Sequence, residues 1–303
     1  MNKIAITSTS FGEYDSEPLD ILKNAGFEVK LNSYKRKLSD GEVVEFCKDA
    51  VGIVAGTENL GDAILRKLPY IKVISRCGTG LDNVDLDAAK RLGIKIFNTP
   101  DIPTWAVAEL TVGLVLDLMR KISLMNKELH NGLWQKRMGN LLYQKKVGII
   151  GFGRIGRKVC ALLMAFGCEV SYFDIKKEKE ITGVKRLELD ELLGISDIVT
   201  IHVSSSSRLL DKDKINIMKK GAWLVNISRG GVVDENALYL ALKRSHLAGA
   251  ALDVFEQEPY KGSLAQLDNV VLTPHIGSYA KETRVKMERE AVENLIKGLK
   301  GKD

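Results

Sequence analysis

Cysteine and histidine are scarce in this chain, four of each in 303 residues. Cys47, Cys77, Cys160 and Cys168 form no CxxC pair and have no histidines near them at metal-ligand spacing. That argues against a disulfide scaffold and against a structural zinc or other metal site. Long apolar runs are lacking as well. The most apolar stretch, 105–119, is interrupted by Glu109 and Asp117 and falls short of the roughly 18 apolar residues of a spanning helix, so it predicts a buried helix and no membrane partner. The opening MNKIAITSTS has too short an apolar run for a signal peptide and reads as a first buried strand. A cytoplasmic protein is expected. Neither sign of charge dominates: 45 Lys and Arg stand against 39 Asp and Glu, a formal charge of +6. A surplus so small and scattered gives no basis for a nucleic-acid partner, though its sign suits a small anionic substrate. Short-period repeats and low-complexity segments are also missing, which sets aside solenoids and disordered linkers.

What is present is a recurring alternation. Short Ile/Val-rich runs, each followed by a segment of helical period, predict parallel strands covered by helices on both faces, an α/β chain with doubly wound sheets. The first set of strands is expected at 3–8, 27–31, 51–57, 71–77 and 94–100, with helices at 17–25, 40–49, 61–67 and 84–92. A long, mostly apolar helix follows over 103–130, with Pro at its first turn. The stretch 131–144, carrying Trp134 and Tyr143, has no clear period and reads as an irregular arm. A second set of strands is expected at 146–150, 169–174, 197–203, 221–228, 248–254 and 269–275, and a charged amphipathic helix at 280–299. The length alone suggests two domains.

GFGRIG, with Gly151, Gly153 and Gly156, matches GxGxxG. The buried run KVGII precedes it, an amphipathic segment follows, and Asp174 closes the next strand about 20 residues on, the full dinucleotide-binding context. Gly151 permits the turn out of the strand, Gly153 lets a pyrophosphate approach the backbone, and Gly156 lets helix and sheet pack closely. The N–H groups at the helix start attract the phosphates, with Arg154 as a cation partner and Ile155 as packing. Asp174 would accept hydrogen bonds from the ribose hydroxyls and repel a 2′-phosphate, so the expected cofactor is NAD. Ile175 beside it brings no cation, although Lys176 and Lys177 follow.

Three further residues stand at the ends of strand-like segments: Arg229 in NISRGG, Glu258 in VFEQEP and His275 in LTPHIGS. Carboxyl ends of parallel strands are where such a sheet gathers ligands. Moving a hydride from a hydroxyl-bearing carbon to nicotinamide requires removal of the hydroxyl proton, a task for a neutral imidazole such as His275. Glu258, bonded to the other ring nitrogen, would fix the tautomer and stabilise the cationic form. Arg229 can hold an anionic group such as a carboxylate and polarise a neighbouring oxygen, a bidentate task poorly suited to Lys. His130, His202 and His246 have no such support.

Taken in order, SRCGTGLDNVD, NTP, AVAEL, GFGRIG, NISRGGVVDE, HLAGAALDVFEQEP and LTPHIGS span the chain. On them the sequence resembles the D-isomer-specific 2-hydroxyacid dehydrogenases, and within these the phosphoglycerate dehydrogenase branch. The resemblance implies that Arg229, Glu258 and His275 are the catalytic residues. It also implies a flavodoxin-like substrate domain, 1–98 plus 281–303, split around an inserted Rossmann NAD-binding domain, 99–280. The implied reaction moves a hydride between nicotinamide and a small anionic D-2-hydroxy or 2-oxo acid. 3-Phospho-D-glycerate leads, a step of serine biosynthesis, and hydroxypyruvate or glyoxylate reduction is the alternative within the class. An NADH-sensing binding protein is the rival from another class. Formate dehydrogenases of the same family pair His with Gln, so Glu258 favours a hydroxy or oxo acid.

Substrate selection is expected in the loop after the 71–77 strand. The backbone N–H groups of Cys77, Gly78 and Thr79 can grip a carboxylate, and Arg76 resembles the arginine that the branch turns toward the distal phosphate. Cys77 itself is expected to be a buried filler. Two departures stand out: Pro103 lies where the branch commonly has an Asn after NTP, and 204–207 is all Ser where a Pro- and Thr-containing loop is usual. Residues 1–303 show no counterpart of the regulatory domain of many phosphoglycerate dehydrogenases, so serine feedback by that route is not expected. A homodimer in contact through 105–145 is expected, as is closure about hinges near 98–103 and 278–283.

Overall fold

The computed structural model describes residues 2–176 and 181–301. It divides into two compact units, Met1–Pro103 with Ser278–Asp303, and Thr104–Gly277. The first unit opens with β1 (Lys3–Ile6), α1 (Glu17–Asn24), β2 (Glu28–Leu31), α2 (Asp40–Cys47), β3 (Ala50–Ala55), α3 (Asp62–Leu65), β4 (Val73–Arg76), α4 (Leu86–Arg91) and β5 (Lys95–Asn98). The second runs through α5 (Thr104–Arg120), α6 (Ile122–His130), β6 (Lys146–Ile150), α7 (Arg154–Ala165), β7 (Glu169–Phe173), β8 (Lys185–Arg186), α8 (Leu189–Ile195) and β9 (Ile198–Ile201). It continues with α9 (Lys212–Ile217), β10 (Trp223–Asn226), α10 (Glu235–Lys243), β11 (Gly249–Leu252) and β12 (Val270–Leu272). α11 (Lys281–Lys300) then belongs to the first unit.

The first unit's sheet has the order β2-β1-β3-β4-β5, all parallel, the flavodoxin-like order. Side chains alternate across it. Ile4 and Ile6 of β1 face a core shared with Leu22 of α1 and Met287, Ala291 and Leu295 of α11. Ala5 faces the core of α2, α3 and α4. The polar, charge-rich α11 thus buries one stripe.

The second unit's sheet has the order β12-β11-β10-β9-β6-β7-β8, again all parallel. Counted within the unit, this is the Rossmann order 3-2-1-4-5-6 with a seventh strand. The direction of winding reverses between β6 and β9, and ligands gather at the carboxyl ends of strands flanking such a point. α5 and α7 cover one face around Ile149, and α8, α9 and α10 cover the other around Ile150. The expected fold class, two doubly wound parallel sheets of these two kinds, is the one found.

Two elements differ from the sequence expectation. The single helix over 103–130 is broken at Lys121, which adopts a left-handed conformation with φ +56°. Asp117 makes the break by accepting the backbone N–H of Ser123 at 2.7 Å together with its hydroxyl, capping the first turn of α6. The second set also holds a seventh strand, β8, two residues paired with β7. Several expected runs outlast their strands: 71–77 leaves the sheet after Arg76, 197–203 after Ile201 and 269–275 after Leu272. Residues beyond those ends form the loops that carry the polar groups.

Candidate active site

The glycine motif sits between β6 and α7. Gly151 has φ +90°, and a Cβ there would stand 2.6 Å from the carbonyl oxygen of His202. At Gly156 a Cβ would stand 2.1 Å from the carbonyl oxygen of Gly151, so this residue sets how closely α7 approaches the strand. Gly153 caps α7 and has open space where a Cβ would be. The first-turn N–H groups of α7 therefore lie beside unfilled volume, an arrangement suited to an anion. Arg154 is exposed and Ile155 half-buried against the α5–α7 core. Asp174 follows β7; its carboxylate accepts from Phe152 N at 2.6 Å and Lys176 N at 2.8 Å. Those bonds fix the carboxylate beside the motif, as a ribose acceptor requires. Arg186 of β8 donates to the Asp174 carbonyl at 3.0 Å, bringing a cation that Ile175 did not. Lys177 lies outside the described residues.

Arg229, Glu258 and His275 follow β10, β11 and β12, three adjacent strands in register at Asn226, Leu252 and Leu272. His275 Nδ1 lies 3.0 Å from Glu258 Oε2, with the side chains 48% and 39% exposed. With Glu258 ionised, Nδ1 carries the proton and Nε2 is the nitrogen left for a substrate hydroxyl. Glu258 Oε1 also accepts from Phe255 N at 3.2 Å. Arg229 is half-buried; its Nη1 donates to Ser228 O at 2.8 Å, and Asn226 Nδ2 donates to Arg229 O at 2.9 Å. The turn after Arg229 presses on the Glu258 loop, since a Cβ on Gly230 would stand 1.9 Å from Phe255 O.

His275 has φ +54°, a left-handed conformation costing a non-glycine residue roughly 1–3 kcal/mol. Asp253, 1% exposed, holds that turn. Its carboxylate accepts from Thr273 Oγ1 at 2.6 Å, Ile276 N at 2.8 Å and Gly277 N at 2.8 Å, while burial pushes its carboxyl up from the usual range. Sequence reading missed this residue. An acid inside the apolar run GAALDVF was the available signal, because a carboxylate so placed needs several donors.

In the first unit, Arg76 Nη1 donates to Cys77 O at 2.6 Å, and its guanidinium lies over Gly78, where a Cβ would stand 1.3 Å from Nη1. Gly78 has φ +155°. Thr79 O accepts from Asn98 Nδ2 at 2.7 Å, and Thr79 Oγ1 lies 3.5 Å from Pro100 O. Cys77 is 2% exposed, and burial pushes its thiol up to about 11, which makes it an inert filler. Of the remaining histidines, His130 and His246 bond backbone carbonyls. His202 meets Thr200 Oγ1, with Nδ1 buried.

Residues 112–277 match the family model described as D-isomer specific 2-hydroxyacid dehydrogenase, NAD binding domain. The chain belongs to the D-isomer specific 2-hydroxyacid dehydrogenases. The cofactor of that domain is NAD, in agreement with the groups around Gly153 and Asp174. Among family relatives, the chain is 41% identical over 260 residues to the glyoxylate reductase of Thermofilum pendens, covering 81% of this chain and 77% of the relative. It is 36% identical over 293 residues to the D-3-phosphoglycerate dehydrogenase of Homo sapiens, covering 93% of this chain and 54% of the relative. The chain thus spans about half the length of the phosphoglycerate dehydrogenases it matches. The crystal structure of the TT0316 protein from Thermus thermophilus superposes with a TM-score of 0.91 at 35% identity, covering 99% and 98% of the two chains.

Proposed function

We propose that the chain is an NAD-dependent oxidoreductase that transfers a hydride between nicotinamide and a D-2-hydroxy acid or its 2-oxo acid. The observation that carries this reading is the 3.0 Å His275–Glu258 pair on strands adjacent to the one before Arg229, in the sheet that also carries the glycine motif. NAD, when bound, supplies the hydride acceptor and in reduced form the donor. His275 Nε2 takes the C2 hydroxyl proton on oxidation and returns it on reduction. Glu258 holds the Nδ1 proton and stabilises the imidazolium while it exists. Arg229 holds the substrate carboxylate and polarises the C2 oxygen. Asp253 keeps His275 in its left-handed turn.

Two substrate readings exist within this class. Arg76 and the phosphoglycerate dehydrogenase relatives support 3-phospho-D-glycerate and 3-phosphohydroxypyruvate, with a place in serine biosynthesis. The glyoxylate reductase relative supports unphosphorylated acids such as glyoxylate and hydroxypyruvate. Free thiols at all four cysteines support a reducing, cytoplasmic setting. Among the described residues no helix is long and apolar enough to cross a membrane. Exposed apolar side chains along α6 and the following arm, including Leu129 (54%), Trp134 (82%), Met138 (89%) and Leu141 (69%), support a homodimer through this region. A panel of 2-oxo acids assayed with NADH tests the activity. Turnover of at least one acid is expected; NADH binding without turnover of any would leave the binding-protein alternative.

A further inference from the structure

Glu258 lies in irregular backbone beyond the end of β11 at Leu252, where no strand or helix ladder holds the chain. Its carboxylate must nevertheless stay within hydrogen-bond reach of His275, and a displacement of about 1 Å in such a group can cost on the order of a hundredfold in rate. The loop is gripped at Glu256. The backbone N–H of Glu256 donates to Glu235 Oε1 at 2.6 Å, an oxygen that accepts in either protonation state of the carboxyl. Glu235 is the first residue of α10. The Glu256 carboxylate accepts from Arg208 Nη2 at 2.5 Å. A Cβ on Gly230 would stand 2.6 Å from Glu256 N, so the turn after Arg229 abuts the loop at the same residue. Phe255 N, one residue earlier, bonds Glu258 itself at 3.2 Å.

Arg208 is in turn fixed by its neighbours. Leu209 N and Leu210 N both donate to Val232 O at 2.9 Å, and Asp234 N donates to Leu210 O at 2.9 Å. The segment after β9 is thereby tied to the one after β10. Arg208 Nη1 donates to Asp234 Oδ2 at 3.3 Å, while Asp234 Oδ1 caps α10 by accepting from Ala237 N at 2.9 Å. One guanidinium thus spans the segments that follow β9, β10 and β11. Its side chain is 48% exposed, and an isolated ion pair so exposed contributes little. Here the backbone on either side is already bonded and two acids hold the planar fork, so little further freedom is lost when it grips Glu256.

We propose that Glu235 and Arg208 are positioning residues for Glu258. They hold Glu256 by its amide and by its carboxylate, and so keep the Glu258 carboxylate against His275. All of these groups belong to the second unit. The assignment rests on the dehydrogenase reading above.

The test is a set of double-mutant cycles. Arg208→Met, Glu235→Ala and Glu235→Gln are each made in wild type and in Glu258→Gln, and kcat is measured for reduction of glyoxylate and hydroxypyruvate with NADH. In the wild-type background Arg208→Met and Glu235→Ala should lower kcat by about three- to tenfold. Glu235→Gln, whose amide oxygen still accepts the Glu256 N–H, should stay within about twofold of wild type. The Kd for NADH, read by its fluorescence, should change by less than about twofold in all three. In the Glu258→Gln background the same substitutions should lower kcat by less than about twofold, because the carboxylate they position is gone. Equal losses in the two backgrounds overturn the inference, since they would come from the fold or from another group. Unchanged kcat in Arg208→Met and Glu235→Ala overturns it as well, and if Glu235→Ala does not fold, Arg208→Met at its half-exposed site decides alone. Absence of wild-type turnover with a wider panel of 2-oxo acids overturns the dehydrogenase reading and this inference with it, an outcome distinct from the other two.

Discussion

In the second unit two ionisable side chains beyond β11 and β12 stand near the surface, His275 48% and Glu258 39% exposed, while Asp253, which holds the turn of His275, is buried. In the first unit the charges packed beside β1, β3 and β4 are closed in: Glu58 at 2%, Glu288 at 2% and Arg284 at 5%. Both sheets are parallel and doubly wound, so topology does not account for the contrast. Exposure does. A half-exposed imidazole beside a half-exposed carboxylate can change protonation and meet a ligand without first breaking the fold, whereas a buried ion cannot lose its partner without a large desolvation cost. The second edge is thus equipped to move a proton, and the first to hold a fixed pattern of charge.

The contrast breaks most directly at His275. His275→Ala should lower kcat by a factor on the order of 100 to 10,000, with NADH affinity unchanged within a few-fold and the urea midpoint barely moved. Rates comparable with wild type would remove the second edge from the chemistry.

The counterpart on the first edge is Arg284→Ala. It leaves Glu288, bonded to Gly12 N at 2.9 Å, without its buried cation. Stability measured by urea should fall by about 3–5 kcal/mol, while kcat per folded molecule stays within a few-fold of wild type. Loss of rate without loss of stability would invert the comparison.

How much of this was legible in the sequence follows from the scale of each signal. Parallel strands announce themselves as whole apolar runs, and the glycine motif gains its meaning from a strand before and an acid after, so the two sheets and Asp174 could be read directly. Arg229, Glu258 and His275 were readable because they lie just past such runs. The break at Lys121 was not, because it depends on one side chain, Asp117, capping the next helix rather than on apolar period. β8 is two residues long, too short for any period. Asp253 and Glu58 were hidden for a different reason: both are acids whose burial depends on donors from other segments, Thr273 and Gly277 for one, Thr7 for the other. Only the folded chain brings those donors together.

A smaller effect sharpens the account of the cofactor edge. Removing the Asp174 carboxylate takes away an anion opposed to a 2′-phosphate and leaves Arg186, which donates to the Asp174 carbonyl, as a nearby cation. Asp174→Ala should raise KM for NADH and lower KM for NADPH, shifting the ratio of their kcat/KM values by about tenfold or more. A ratio unchanged in the variant would mean that cofactor choice lies elsewhere.

The last expected effect concerns a buried ionisable group on the second unit that lies apart from the His275–Glu258 pair. His202 follows β9 with Nδ1 buried, and burial pushes its pKa from the usual 6.5 down to about 3. The folded state therefore requires the neutral ring, while the unfolded chain takes up a proton below about 6.5. The stability that this neutrality contributes is complete above that pH and is lost as pH falls toward 3. By pH 5 the loss should amount to about 2 kcal/mol. His202→Gln cannot take up that proton. Urea unfolding of wild type and variant at about pH 7 and about pH 5 should therefore show a steeper acid loss in wild type. Parallel losses would mean that the ring is hydrated and titrates in the fold, which would extend the exposed character of the second edge one strand further, to β9.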